Sequence, residues 1–131
     1  MAARPRILVI DDEEDICIFS KSILERTDKF AVEYSTDAAA GIQMAKTNQP
    51  DLILLDINMP GMDGGEVAQT LRDFKATSAI PIVFLTALLR KDEVPERAGT
   101  IGKHTFLAKP VTPKELVEKI ELVLRQKEQS V

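Results

Sequence analysis

The chain has 131 residues, with 17 basic and 21 acidic side chains and a net charge of -4. A chain of this length forms one domain around a single core. No basic block is present, which argues against direct nucleic-acid binding because contact with phosphates needs a clustered basic face. The N-terminal apolar run ends in a series of acids and therefore predicts neither a signal peptide nor membrane insertion. We expect one cytoplasmic domain spanning residues 1–131, with a core at about 5–127.

Hydrophobic patterning predicts short strands that alternate with helices. The elements run in this order: a strand at Arg6–Ile10, a helix to about Thr27, a strand at Ala31–Ser35, a helix capped by Thr36 or Asp37 and continuing to Lys46, a strand at Leu52–Asp56, a helix from about Gly65 to Phe74, a strand at Ile82–Thr86, a strand at His104–Ala108, and a helix from Pro113 with a fraying polar tail over residues 125–131.

Leu88 to Lys103 departs from this alternation. Its only helical window contains Pro95, and Gly99 and Gly102 follow within a few residues. We expect an irregular segment there.

Strands that alternate with helices imply an α/β fold with right-handed crossovers and a mostly parallel sheet, covered by helices on both faces. In such folds the ligand crevice lies at the carboxyl ends of the strands. Asp11 and Asp12 follow the first predicted strand, and Asp56 ends the third. Thr86 ends the fourth strand, and Lys109 follows the fifth. These polar groups therefore share one edge of the sheet.

The acidic residues at this edge suggest a metal site. Three neighbouring carboxylates repel each other, and Mg²⁺ (or Mn²⁺) would offset their charge through oxygen ligands. Two other readings exist: acids after the first strand also favour a helix N-terminus, and Asp56 could simply begin a turn. The helix reading accounts for Glu13 to Asp15 but leaves Asp11, at the end of an apolar strand, unexplained.

Lys109 and Thr86 extend the prediction to an anion. Lys109 could be a solvated loop residue, and Thr86 an ordinary strand residue. Beside a metal, the lysine would hold an anionic oxygen as a point charge, and the hydroxyl could donate to the same anion. Such an arrangement suits phosphoryl transfer, with Asp56 as the nucleophile and an aspartyl phosphate as the product.

The ordered set of motifs resembles the receiver domain of two-component response regulators, which are signalling switches and not turnover enzymes. The motifs are Asp11-Asp12, the loop DINMPGMDG around Asp56, Thr86-Ala87, and Phe106 followed by Lys109-Pro110. The resemblance covers essentially the whole chain and implies a flavodoxin-like sheet of order 2-1-3-4-5. It also implies phosphorelay signal transduction, with a histidine kinase or a histidine phosphotransfer protein as the phosphoryl donor and an unidentified protein as the effector.

The same resemblance implies a role for each site residue. Asp56 is the phospho-acceptor, and the metal ligands are Asp12, Asp56 and the backbone carbonyl of Asn58, with Asp11 acting mainly through water. Thr86 and Lys109 contact the phosphoryl oxygens. Lys109-Pro110 is a cis peptide.

A switch is also implied, in which Thr86 moves toward the phosphoryl group and Phe106 turns inward. Phe106 stands where the family often has tyrosine, so any such switch works by packing alone. Leu88–Lys103 occupies the place of the family's fourth helix, which with the last strand and last helix forms the output face. We expect an unusual partner at that face.

The remaining candidates are weaker. The single cysteine, Cys17, lies among apolar residues of a predicted helix and is interpreted as core filling. His104 is the only histidine and is expected in a loop or at a strand edge. Met59 and Met62 are expected to pack within the loop after Asp56.

Three other functions fit the sequence less well than the switch. An aspartyl-phosphate phosphatase is disfavoured because Asn58 stands where the haloacid-dehalogenase type has its second aspartate. A phosphorylation-independent interaction module gives no reason for a carboxylate cluster. A flavin-binding domain would need a phosphate-binding loop after the first strand. The short tail favours a stand-alone regulator.

Overall fold

A computed structural model describes residues 4–26, 28–57, 59, 64–86, 105–108 and 111–129 of the chain. These residues form strands β1 (Arg6–Ile10), β2 (Ala31–Ser35), β3 (Leu52–Asp56), β4 (Ile82–Thr86) and β5 (Thr105–Ala108), and helices α1 (Glu14–Arg26), α2 (Ala38–Asn48), α3 (Gly64–Asp73) and α4 (Pro113–Gln129). Within these ranges, every helix is too short or too polar to cross a bilayer.

All strand pairings in the sheet are parallel, and the strand order is β2-β1-β3-β4-β5. The predicted fold class and strand order are therefore confirmed. Strand order reverses between β1 and β3, which pair directly, with Ile10 opposite Leu55. The carboxyl ends of these two central strands form the switch point at which such sheets bind ligands.

Helices cover both faces of the sheet. The first core cluster joins α1 and α4 to one face through Cys17, Leu24, Leu116 and Ile120. The second joins α2 and α3 to the opposite face through Ile42, Ala45, Val67 and Leu71. Strand β3 supplies Leu52 and Leu54 to the first cluster and Ile53 and Leu55 to the second, so it is buried on both sides. This double burial explains why β3 reads as a continuous apolar run.

The ends of α2 follow from local side-chain chemistry. Asp37 caps its start, because the Ala40 backbone N–H donates to Asp37 Oδ2 at 2.8 Å. Gln49 ends it in the left-handed conformation with φ 51°, and its N–H donates to the Ala45 carbonyl at 3.1 Å. Asp37 is thus the cap among the two candidates that the sequence offered.

Other element boundaries differ modestly from the predictions. α3 begins at Gly64, one residue before the predicted start, and β5 begins at Thr105 instead of His104. α4 continues to Gln129, so residues 125–129 of the expected polar tail are helical, and fraying of this end stays a prediction. Arg, Gln, Lys and Glu all have high helix propensity, which explains why a polar stretch continues the helix. The expected irregular segment Leu88–Lys103 lies outside the described residues.

Candidate functional site

The two aspartates at the switch point are side by side because their strands are neighbours. Asp11 directly follows β1, and Asp56 is the last residue of β3. The pairing of Ile10 with Leu55 brings the next residue of each strand together. Both side chains are buried, with Asp11 at 1% and Asp56 at 3% exposure. Carboxylates buried to this extent need compensating partners.

Asp12 completes an acidic cluster that opens to solvent. One carboxylate oxygen from each of Asp11, Asp12 and Asp56 lies within 4.8 Å of the other two, and Asp12 is exposed. Oxygen ligands of one Mg²⁺ ion lie about 3–4 Å apart, so a cluster of this size can present oxygens to one ion directly or through bound water. Hard carboxylate oxygens with access to water are the ligands that Mg²⁺ prefers. The cluster therefore fits the predicted metal.

Hydrogen bonds fix the turn that carries Asp11. Its backbone N–H donates to the Ser35 carbonyl at 3.1 Å, which ties the turn to β2. The Glu13 backbone N–H donates to Asp11 Oδ1 at 2.9 Å. This second bond holds Glu13 just before α1. The Glu13 carbonyl in turn accepts from the N–H groups of Ile16 and Cys17 in the first turn of that helix. One carboxylate oxygen of Asp11 therefore already accepts a hydrogen bond from the backbone of its own turn.

The loop after Asp56 is anchored at both ends. The Ile57 N–H donates to the Leu85 carbonyl at 3.3 Å, and the Ile57 carbonyl accepts from the Gly64 N–H at 2.6 Å. Between them, Met59 is buried, as expected for loop packing. A Cβ on Gly64 would lie 2.5 Å from Ile57 Cα and 2.9 Å from the Asp56 carbonyl oxygen. The first residue of α3 therefore rests directly on the backbone of Asp56, and only glycine permits that approach.

Phe106 packs against a neighbour in the next strand. It stands opposite Phe84 in the β4–β5 pairing, and the two rings stack with centroids 4.9 Å apart and planes inclined by 23°. Phe84 is buried, whereas Phe106 is partly exposed. Asp56 pairs with Leu85, the residue after Phe84, so one strand separates the acidic cluster from the Phe106 ring.

The remaining predicted site residues are described only in part. Thr86 ends β4 and pairs with Ala108, but its side chain lies outside the described part of the structure. Asn58, Lys109 and Pro110 lie outside the described residues, so the carbonyl ligand, the phosphoryl-binding lysine and the cis peptide stay predictions. The same holds for the expected placements of Met62 and His104.

Three residues near the site were not assigned a role from the sequence. Gly64 was placed in a turn, without the close approach to Asp56. Phe84 was placed in a strand, although the equal offset of Phe84 and Phe106 from the ends of β4 and β5 could have indicated that they pair. Cys17 was correctly expected in the core, where it is fully buried, but its contact with the acidic turn had no sequence signal.

The fold and the acidic cluster define a class of signalling domain. Residues 7–121 match the sequence model of the family described as "Response regulator receiver domain", and the chain belongs to this family. Receiver domains of this family accept a phosphoryl group from histidine kinases and use an acidic pocket for Mg²⁺.

Among individual relatives, the chain is 36% identical over 124 residues to the alkaline phosphatase synthesis transcriptional regulatory protein PhoP of Bacillus subtilis, covering 94% of this chain and 50% of PhoP. It is 36% identical over 126 residues to the DNA-binding response regulator MtrA of Mycolicibacterium smegmatis, covering 95% of this chain and 53% of MtrA. The chain thus spans about half the length of the curated relatives that it matches.

Solved structures agree with the family assignment. A CheY-like receiver domain protein from Methanospirillum hungatei superposes with a TM-score of 0.86 at 26% identity, covering 98% of this chain and all of that one. The chemotaxis response regulator CheY4 of Vibrio cholerae gives a TM-score of 0.81 at 25% identity, covering 92% of this chain and 99% of its own.

Proposed function

We propose that this receiver domain accepts a phosphoryl group on Asp56 from a phosphohistidine, supplied by a histidine kinase or a histidine phosphotransfer protein. The observation that carries the proposal is the buried Asp56 carboxylate, at 3% exposure, within 4.8 Å of carboxylate oxygens of Asp11 and Asp12. A nucleophile in this position is shielded from bulk water yet borders the exposed Asp12. The domain is proposed to extend over residues 1–131 and to work in the cytoplasm.

The transfer requires one bond to form and one to break. An oxygen of the Asp56 carboxylate attacks phosphorus, the P–N bond of the phosphohistidine breaks, and the imidazole leaves with the electron pair and takes up a proton. The product is an acyl phosphate on Asp56. Bound Mg²⁺ (or Mn²⁺) supplies charge neutralisation between the carboxylates and the phosphoryl oxygens.

The chain's own residues hold the reacting groups in place. Asp12 and Asp56 are proposed to bind the ion together with the Asn58 carbonyl, and Asp11 to act mainly through water. The latter assignment is supported by the bond that Asp11 Oδ1 already accepts from the Glu13 N–H. Lys109 and Thr86 are proposed to contact the phosphoryl oxygens, with Lys109–Pro110 as a cis peptide that sets the position of the lysine.

Phosphorylation is proposed to bias a pre-existing equilibrium at the other side of β4. Movement of Thr86 toward the phosphoryl group would alter the space available to Phe106, whose ring stacks on Phe84 one strand away. The output face then includes β5 and α4, and its partner is a protein effector. Two relatives are named as transcriptional or DNA-binding regulators. We propose that the present domain itself changes conformation on phosphorylation and makes no direct nucleic-acid contact.

The test is the intact mass of the protein after incubation with acetyl phosphate, with and without Mg²⁺. The native protein should gain one phosphoryl group, about 80 Da from its composition, only when Mg²⁺ is present. Asp56→Asn should gain none. Asp73→Asn is the matched control, because Asp73 is an exposed aspartate that accepts from Gln69 Nε2 at the end of α3.

Each outcome separates the candidate functions. A native protein that never gains mass would favour the phosphorylation-independent interaction module. An adduct on Asp56→Asn equal to that on Asp73→Asn would place the acceptor elsewhere. Sustained release of phosphate from external phosphoesters would favour the phosphatase. It would contradict the proposed function, in which the domain is phosphorylated itself and turns over no external substrate.

A further inference from the structure

Cys17 makes a polar contact that its role in the core does not require. Its side chain is fully buried on the inner face of α1 and belongs to the core cluster between α1, α4 and the sheet. The Cys17 Sγ–H also donates to the Asp11 backbone carbonyl at 3.3 Å. A thiol is a weak donor, but a bond to a buried carbonyl is protected from competition with water.

The Asp11 carbonyl belongs to the peptide that leads from Asp11 to Asp12. This peptide lies before the first turn of α1, where the Glu13 carbonyl accepts from the Ile16 and Cys17 N–H groups. The thiol therefore reaches back past the start of the helix to the segment that carries both acids. Together with the Asp11 N–H to Ser35 carbonyl bond, it ties this segment to α1 on one side and β2 on the other.

We infer that Cys17 is a positioning residue for the acidic cluster: its thiol orients the Asp11–Asp12 peptide and thereby sets how tightly the cluster binds a divalent cation. The inference rests on the proposed Mg²⁺-dependent function and adds to it a residue that touches neither the ion nor the phosphoryl group. Partners that orient metal ligands from behind commonly change metal affinity by about 10–100-fold, and a weak thiol donor belongs at or below the low end of that range.

Ser20 supplies a matched control on the same helix. It lies one turn after Cys17, is also fully buried, and its hydroxyl has no hydrogen-bond partner among the described residues. Ser20→Ala therefore changes a buried polar side chain of similar size without removing a contact to the acidic turn. A general disturbance of the α1 interior would appear in both variants, whereas a positioning effect would appear only in variants of Cys17.

The experiment measures Mg²⁺ affinity by titration calorimetry with MgCl₂ for the native protein, Cys17→Val, Cys17→Ala, Cys17→Ser and Ser20→Ala. Valine loses the donor and puts a somewhat larger apolar side chain in the site, alanine loses both the donor and the volume, and serine keeps a donor. We expect Cys17→Val and Cys17→Ala to bind Mg²⁺ about 3- to 10-fold more weakly. Cys17→Ser should lie within about twofold of the native protein, and Ser20→Ala should equal it.

A second readout needs no metal. The Glu13 N–H donates to Asp11 Oδ1 at 2.9 Å, so its exchange with solvent reports the order of the acidic turn. In metal-free protein, Cys17→Val should speed exchange of the Glu13 amide by about 3- to 10-fold, while Ser20→Ala leaves it unchanged. Circular dichroism confirms that each variant is folded before either measurement.

The outcomes distinguish this inference from the proposed function. Native Mg²⁺ affinity in Cys17→Val and an unchanged Glu13 exchange rate would overturn the positioning role while leaving the metal site intact. Weakening of Cys17→Ser to the level of Cys17→Val would assign the effect to packing and would likewise overturn it. Absence of Mg²⁺ binding by the native protein would instead overturn the proposed metal-dependent function, and the claim about affinity with it.

Discussion

Phe106 of β5 stacks on Phe84 of β4, so the ring proposed to move in the switch rests on a fully packed core residue. The ring centroids lie 4.9 Å apart, and Phe84 is 1% exposed. Stacked aromatic pairs contribute about 0.5–1.5 kcal/mol beyond the burial of their surface. An outward Phe106 would lose that contact, which gives the switch a definite packing difference between two states.

Phe106→Ala should therefore lower the free energy of unfolding by about 1–3 kcal/mol, less than a fully buried phenylalanine would. Urea unfolding followed by circular dichroism measures this loss. Phe19→Ala is the control, because Phe19 is 41% exposed on α1 and should cost much less. Equal losses in the two variants would show that the stacking contact with Phe84 contributes nothing measurable.

Gly64 should be intolerant of any side chain, for a reason that concerns Asp56. The added Cβ of Gly64→Ala meets the backbone of Ile57 and Asp56 at 2.5 and 2.9 Å, so the strand end or the helix start must shift. We expect a loss of about 1–3 kcal/mol in stability together with reduced phosphorylation by acetyl phosphate.

Gly41→Ala separates the two effects of Gly64→Ala. Its Cβ would lie 2.8 Å from Ile10 side-chain carbons, which can rotate away, and no backbone atom of Asp56 is among its near contacts. Gly41→Ala should lose stability while its phosphorylation remains at the native level. Native phosphorylation in Gly64→Ala would show that the approach of α3 to Asp56 does not set the geometry of the acceptor.

Asp12→Asn should change stability and metal affinity in opposite directions. In metal-free protein, three carboxylates within 4.8 Å repel one another, so removal of one charge should raise the free energy of unfolding by about 0.5–1 kcal/mol. The same change removes a ligand and should weaken Mg²⁺ binding by more than about tenfold. Urea unfolding in EDTA and calorimetric titration with MgCl₂ measure the two quantities.

Asp15→Asn provides the contrast for Asp12→Asn. Asp15 lies in the first turn of α1, where a negative charge stabilises the helix by about 0.3–1 kcal/mol. Its removal should lower stability and leave Mg²⁺ affinity unchanged. If Asp12→Asn instead lowered metal-free stability as Asp15→Asn does, the acids after β1 would be acting as a helix terminus and not as a repelling cluster.

The Lys21–Glu25 ion pair within α1 predicts a pH dependence remote from the acidic cluster. Lys21 Nζ donates to Glu25 Oε2 at 3.0 Å, and this hydrogen bond lowers the pKa of Glu25 below its ordinary value of 4.5. A carboxyl group whose pKa is lowered by folding stabilises the protein above the unfolded pKa. That contribution disappears as the pH falls through the lower folded pKa.

Native protein should accordingly be more stable than Glu25→Gln at pH 7, by about 0.2–1 kcal/mol for a pair this exposed. The difference should shrink once the pH falls below 4.5. Urea unfolding at a series of pH values measures it. Glu118→Gln breaks the looser pair with Lys114, at 4.0 Å, and should have little effect at any pH. A constant difference for Glu25→Gln down to pH 2 would contradict the shifted pKa.

Most of the architecture could be predicted because burial leaves a plain record in the sequence. The LILLD run of β3 predicted a strand covered on both faces, and Asp37 was one of the two predicted caps at the start of α2. The proximity of Asp11 and Asp56 followed from a general property of parallel sheets. By contrast, the Cys17 thiol contact and the approach of Gly64 to Asp56 depend on atomic positions accurate to a few tenths of an ångström, which residue types do not encode.

The pairing of Ile7 with Leu52 closes a long crossover that includes all of α1, β2 and α2. Pairings between residues so distant in sequence form slowly, because the entropy of closing the chain is lost before the contacts are gained. The acidic cluster therefore cannot assemble in either half of this crossover alone. Its carboxylates meet only after the two central strands have joined, so a refolding chain acquires its ion-binding ability late, and a bound ion would slow unfolding more than it speeds folding.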